Sequence, residues 1–188
     1  KDAAVSGDFS RIAVAYLIAS GGETTVTVTK AVTERFSALA IRISAATWHG
    51  TTPPEISTGV TGSSVSPNPD SLDPAGWATE DTLWIATMGF DDSGGTGLVT
   101  AYPYATNNIL AQVVGGGSGA ICTTESAVAS IDPGAFTIDP TDQWWAGTVA
   151  VRPAISGYTL DLGSGSYAVT GQPLTLLATR LLNLATGN

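Results

Sequence analysis

The chain contains a single histidine, His49, and a single cysteine, Cys122. A hydrolytic triad or dyad needs an imidazole to take the proton from its nucleophile, so chemistry of that class would have to converge on His49. That residue sits in Thr47-Trp48-His49-Gly50, just before a proline-rich stretch, and reads as a loop histidine. No G-x-S-x-G elbow is present. Nothing near Cys122 in sequence would lower a thiol pKa, and a buried, inert thiol is expected there. One Cys and one His cannot make a zinc site.

Oxygen ligands are more plentiful. Asp91-Asp92-Ser93-Gly94-Gly95 offers carboxylates on a turn, the material of a calcium loop, but lacks the D-x-D-x-D-G spacing. An Asx-type turn is the better reading. Asp70, Asp73, Glu80 and Asp81 surround an irregular loop and form a second, equally weak calcium candidate. The 16 acidic residues lie mostly in turns, where carboxylates solvate loops, and a glycosidase pair is not expected among them. Gly115 to Ala120 matches G-x-G-x-x-A. A dinucleotide site needs a helix to follow, and Ile121-Cys122-Thr123-Thr124 is β-prone. The chain therefore reads as non-catalytic, with no cofactor and no metal.

The five tryptophans are the remaining candidates. Exposed aromatic rings stack on sugars or anchor protein interfaces. Trp48 and Trp77 flank the proline-rich loop, and Trp84 lies in a strand-like run. Trp144 and Trp145 are adjacent in another such run, so they point to opposite faces. One of them must leave its own core unless a loop covers it. Trp48, Trp77 and Trp144 are the interface candidates of this region.

Composition sets the frame that would hold these side chains. The chain has 188 residues, enough to bury a core unaided. Charged residues make up 12% and Gly numbers 22. Thr, Ser, Ala and Val are abundant while helix-favouring side chains are scarce, which favours strands and turns. The net charge of −9 argues against nucleic acid and anionic membranes as partners. No run approaches 18 apolar residues. No signal peptide is visible, and the opening Lys1 reads as a processed or incomplete N-terminus.

Period-2 alternation dominates. Arg11 to Ile18, Thr24 to Thr29 and Phe36 to Ser44 read as a three-strand meander, with Ser20-Gly21-Gly22-Glu23 as a hairpin connection. Residues 46 to 80 hold five of the ten prolines and exclude a continuous helix, leaving room for a short strand from Glu55 to Thr61. Further strands are predicted at Thr82 to Gly89, Leu98 to Ala101, Ile109 to Val114, Ala120 to Ser130 and Trp144 to Arg152. Many short strands with frequent turns predict an all-β fold, an antiparallel β-sandwich of jelly-roll type, over residues 1–153.

Residues 154–188 differ. Tyr158 to Thr170 and Leu174 to Leu184 are strand-like and weakly repeated: Leu160-Asp161-Leu162 matches Leu182-Asn183-Leu184 at an offset of 22, as Gly165 matches Gly187. The region reads as a C-terminal strand-repeat arm that continues beyond Asn188. Leu174, Leu176, Leu177, Leu181, Leu182 and Leu184 are its candidate contacts between subunits.

Several of these runs resemble a family of jelly-roll-like virion proteins of tailed bacteriophages. They are Arg11-Ile-Ala-Val-Ala-Tyr, Thr24-Thr-Val-Thr-Val-Thr, Ala40-Ile-Arg-Ile-Ser, Thr51-Thr-Pro-Pro-Glu, Thr61-Gly-Ser-Ser, Asp81-Thr-Leu-Trp-Ile-Ala, Asp132-Pro-Gly-Ala-Phe-Thr and Trp145 to Pro153. Gly165-Ser-Tyr-Ala-Val-Thr-Gly-Gln resembles repeats that follow such domains. The resemblance spans roughly residues 10 to 188. Its motifs are strand and turn residues, so it transfers no functional side chain. It implies a structural protein on the virion surface, of capsid-decoration, head-fibre or tail-surface type. The implied partners are the major capsid or tail protein and further copies of the chain, a trimer being the natural guess. A glycan is the alternative ligand, on a tail-surface or secreted binding module. Domains of this kind carry a further strand or two before the Arg11 strand. Only ten residues precede it here, which implies either truncation or a sheet completed by another chain.

Overall fold

The computed structural model describes residues 2–4, 11–29, 36–44, 46–92, 97–113 and 116–154. The chain divides into two units, Lys1–Ile155 and Ser156–Asn188. The second lies outside the described residues, and with it Leu174, Leu176, Leu177, Leu181, Leu182, Leu184 and the predicted repeat arm.

Among the described residues the fold is all-β and every strand pair is antiparallel. The strands are β1 (Asp2–Ala4), β2 (Arg11–Ala13), β3 (Glu55–Ile56), β4 (Val60–Ser64), β5 (Glu80–Asp92), β6 (Leu98–Ala101), β7 (Thr106–Ala111), β8 (Gly116–Val128), β9 (Thr137–Asp139) and β10 (Asp142–Val151). A six-stranded sheet runs β3-β10-β5-β8-β7, with β4 also pairing along β10. β1 and β2 form one two-stranded ribbon, and β6 and β9 another. No helix of the described residues is long and apolar enough to cross a membrane.

The central strand explains the packing. On one face β5 presents Trp84, Ala86, Met88 and Phe90. Met88 lies between Ala120 of β8 and Ala146 of β10, and Trp84 between Thr124 and Ala150. At these two positions large side chains on β5 meet small ones on its neighbours, which lets the layer pack to core density. Phe136 and Ile138, from and beside β9, close over this face with Val99, Tyr102, Tyr104 and Leu110. Leu72, Trp77, Val128 and Ile131 close the end near Trp84. The opposite face carries Leu83, Ile85, Ile121, Val149 and Val151, covered by Leu39, Ile43 and Trp48. Here Gly89 pairs with Gly119. A Cβ at Gly89 would lie 2.3 Å from Ile12 Cδ1, so the missing side chain makes room for Ile12. Both faces of β5 are thus covered, and eight of its thirteen residues are buried.

The proline-rich excursion is tied down. Pro67 and Pro69 are fully buried. Phe136 N donates to Pro67 O (2.8 Å) and Ile138 N to Val65 O (2.9 Å), while Leu72 and Ile131 exchange two bonds of 3.0 Å.

Three predicted elements need correction. Of the expected N-terminal meander only Arg11–Ala13 joins a ladder, with Asp2–Ala4. Residues 14–29 and 36–44 are in no strand. Residues 37–44 keep their alternation, but as side-chain cover: Leu39 and Ile43 pack on the sheet without their backbone pairing. Asp91 and Asp92 belong to β5, not to a turn, because β5 pairs with β8 as far as Asp92↔Gly116. The glycine-rich segment 116–119, which falls between the predicted strands Ile109 to Val114 and Ala120 to Ser130, is likewise strand.

Candidate interaction surface

The predicted aromatic platforms have different fates. Trp144 is a correction: it is 6% exposed and belongs to the core. Its indole Nε1 donates to Ser64 Oγ (3.1 Å), and its ring lies over Gly62. Trp145, pointing to the other face, is covered as well. Residues 57–59 interrupt the edge between β3 and β4, and Gly59, at φ +80°, brings its Cα against the indole. Asp70 holds this interruption. Its carboxylate accepts from Ser57 Oγ, Thr58 Oγ1 (3.2 Å) and Gly59 N (3.0 Å). Its carbonyl accepts from Thr148 Oγ1 (2.6 Å), and Thr148 N donates to Ser57 Oγ (2.8 Å). Ser57 and Asp70 are consumed in positioning the backbone.

Trp48 and Trp77 are half-buried at one end of the sheet. Trp48 bridges to Pro153, through His49 N to Arg152 O (2.9 Å) and Ala154 N to Thr47 O (3.0 Å). Arg152 lies 5.7 Å from the Trp77 ring centroid, a cation–π distance. The same guanidinium makes a two-point ion pair with Glu80. That bond holds the Glu80 carboxyl below its ordinary range and raises Arg152. His49 Nδ1 pairs with Thr52 Oγ1 (2.9 Å). Trp77 therefore has one face occupied by a protein cation, which is not the arrangement of a free stacking platform.

The acidic end of β5 is internally satisfied. Asp92 is 1% exposed and accepts from Gly97 N (2.8 Å) and Gln112 Nε2 (3.2 Å). Burial raises the carboxyls of Asp91 and Asp142, and neighbouring carboxylates add to the rise. No group of three or more His, Cys, Asp or Glu placed to hold a metal occurs among the described residues. Cys122 lies in the core, where burial pushes its thiol up to about 11. Two shallow grooves of about 250 and 260 Å3 flank residues 40–47, lined by Ile43, Leu83 and Val151 on one side and Ile41, Ile109 and Ile121 on the other.

The longest uncovered run among the described residues lies elsewhere. Every residue from Ala15 to Thr29 is exposed, and none joins a strand. Tyr16 (58%), Leu17 (68%), Ile18 (49%), Val26 (71%) and Val28 (60%) project into solvent. A contiguous run of this kind marks an interaction site. The reversal between its two limbs is nevertheless built. Gly21 and Gly22 take positive φ, +98° and +91°, and the Glu23 carboxylate accepts from Ser20 N (2.9 Å), Gly21 N (2.9 Å) and Ser20 Oγ (2.5 Å). Those bonds hold the Glu23 carboxyl down to about 2. The alternation of these residues points to a sheet, not to a free surface. The available signal was the absence of any charge or proline in 12–22 and 24–29, since exposed strands in monomers are normally protected by one or the other.

Comparison with protein families, curated proteins and solved structures returned no match to the chain.

Proposed function

We propose that the chain is a non-catalytic structural protein on the surface of a tailed-phage virion, a capsid decoration or head-fibre protein of jelly-roll sandwich type. The observation that carries this reading is the exposed apolar stretch Ala15–Thr29 beside a well-filled, all-antiparallel sheet. A module of this kind works by assembly: its sheet supplies rigidity and its uncovered strand-prone segments supply contacts. The family resemblance of the strand runs supports the same reading. In this role the partners are the major capsid or tail protein and other copies of the chain. The leucines from Leu174 to Leu184 are the further candidate contacts.

The test is immunogold labelling of intact particles with antibody against residues 1–153. Label on the head supports capsid decoration or a head fibre. Label on the tail moves the protein to the adsorption apparatus and makes Trp48 the first residue to examine for receptor contact. Particles without label refute the virion reading.

A further inference from the structure

We infer that the limbs Ala15–Ala19 and Thr24–Thr29 are the site at which a second copy of this chain binds, by antiparallel strand addition. The limbs are built for pairing. They are five and six residues long, the commonest strand length. The turn between them is fixed by Glu23 on Ser20 and Gly21. The second limb alternates Val26 and Val28 with Thr25, Thr27 and Thr29. Yet in the single chain the limbs pair with no other described residue. An isolated two-stranded hairpin is marginal in water, whereas three or more strands with an apolar face hold together. Two copies supply four limbs, which crosses that threshold without any other molecule.

Charge favours the same occupant. Two copies each carrying −9 repel overall, but this stretch contains one charge only, Glu23 at the turn tip, already held by its own loop. Like charges therefore stay out of the contact, and a basic partner would find no acidic patch to steer it. Apolar surface is available for it. Tyr16 and Ile18 share one face of the first limb, and Val26 and Val28 share one face of the second; at on the order of 100 Å2 for each large side chain, the five exposed ones and their counterparts offer at most about 1,000 Å2, the scale of a small specific interface.

Sedimentation equilibrium of the full chain, with and without the double substitution Val26→Lys and Val28→Lys, tests the pairing. Both side chains are exposed, so the variant keeps its fold, checked by an unchanged circular dichroism spectrum and melting curve at low concentration. The expected result is a species of twice 19.0 kDa for the natural sequence and a monomer for the variant, with at least a hundredfold weaker association. A monomeric natural chain overturns the inference, as does a trimer or larger assembly, or a dimer indifferent to both lysines. A monomer that still labels virions overturns this pairing and leaves the virion reading standing.

Discussion

Replacing Gly59 with alanine probes how the interrupted edge strand seats Trp145. Two costs are separable in the structure. The residue has φ +80°, and an alanine held in the left-handed region costs about 1–2 kcal/mol. Its Cβ would also lie 2.3 Å from three atoms of the Trp145 indole. That ring is 1% exposed and has nowhere to move, so overpacking adds about 1–3 kcal/mol. Together the loss is about 2–5 kcal/mol, a large part of the 5–15 kcal/mol typical of a domain. Gly62→Ala serves as a partial control. Its Cβ would meet Trp144 at 2.5 Å but without the backbone strain, so only the overpacking cost of about 1–3 kcal/mol applies. Gly117→Ala meets nothing within 4 Å and should stay within about 0.5 kcal/mol. Urea unfolding followed by tryptophan fluorescence ranks the three. At a slope of about 2 kcal/mol/M, Gly59→Ala lowers the midpoint by about 1–2.5 M. A Gly59→Ala midpoint no lower than that of Gly117→Ala would refute the seating of the indole on this loop.

Three further outcomes follow from the polar contacts. Asp92→Ala strands the Gly97 amide and removes one of the two acceptors of Gln112 Nε2, which keeps its bond to Gly97 O; a loss of about 1–3 kcal/mol is expected in thermal melts, and Asp92→Asn should recover part of it. Glu80 is depressed by its bond to Arg152, so its contribution is present above the ordinary carboxylate pKa and lost as pH falls through the lowered value. Glu80→Gln should therefore destabilise modestly at pH 7 and match the natural chain at acidic pH; equal stability at both pH values would discount the ion pair. Cys122, with its raised thiol, should react with a disulfide reagent only as fast as the protein unfolds, and prompt stoichiometric labelling of the folded protein at pH 8 would contradict its burial.

The parts of the fold legible in sequence are those whose signal is local. β5 and β10 carry apolar residues on both faces, as in Leu83–Ala86 and Trp144–Ala146, because both of their faces are covered, and such runs announce themselves. The glycines of β8 do not, since glycine disfavours strands; Gly119 is tolerated because Leu39 packs beside it. Alternation in Arg11–Thr29 carried the propensity to form strands but not the identity of a partner, and partners are set by tertiary contacts that periodicity does not encode. The opposed pair Trp144 and Trp145 was legible as a geometric problem. Its solution, a three-residue interruption held by Asp70 eleven residues onward from Gly59, was not. Asp92 shows the same limit: an acidic dipeptide before serine and glycines has the signature of a turn, and only the ladder to Gly116 places it in a strand.

The position of β10 has a consequence for how the protein is made. β3 and β4 have one ladder partner, β10, and β10 sits between them and β5. Residues 55–64 leave the ribosome some 80 residues before Trp145, to which Thr61 pairs. At a synthesis rate of roughly 5–20 residues per second, that edge waits about 4–16 s for its partner. Through this interval β5 and β8 can zip together, but one side of β5 stays open and its tryptophan layer remains wet. Closing the sheet is thus a late event in translation, gated by the arrival of Asp142–Val151. Codons that slow the ribosome before this segment would lengthen the exposure of β5, and a rapid passage through it would shorten it.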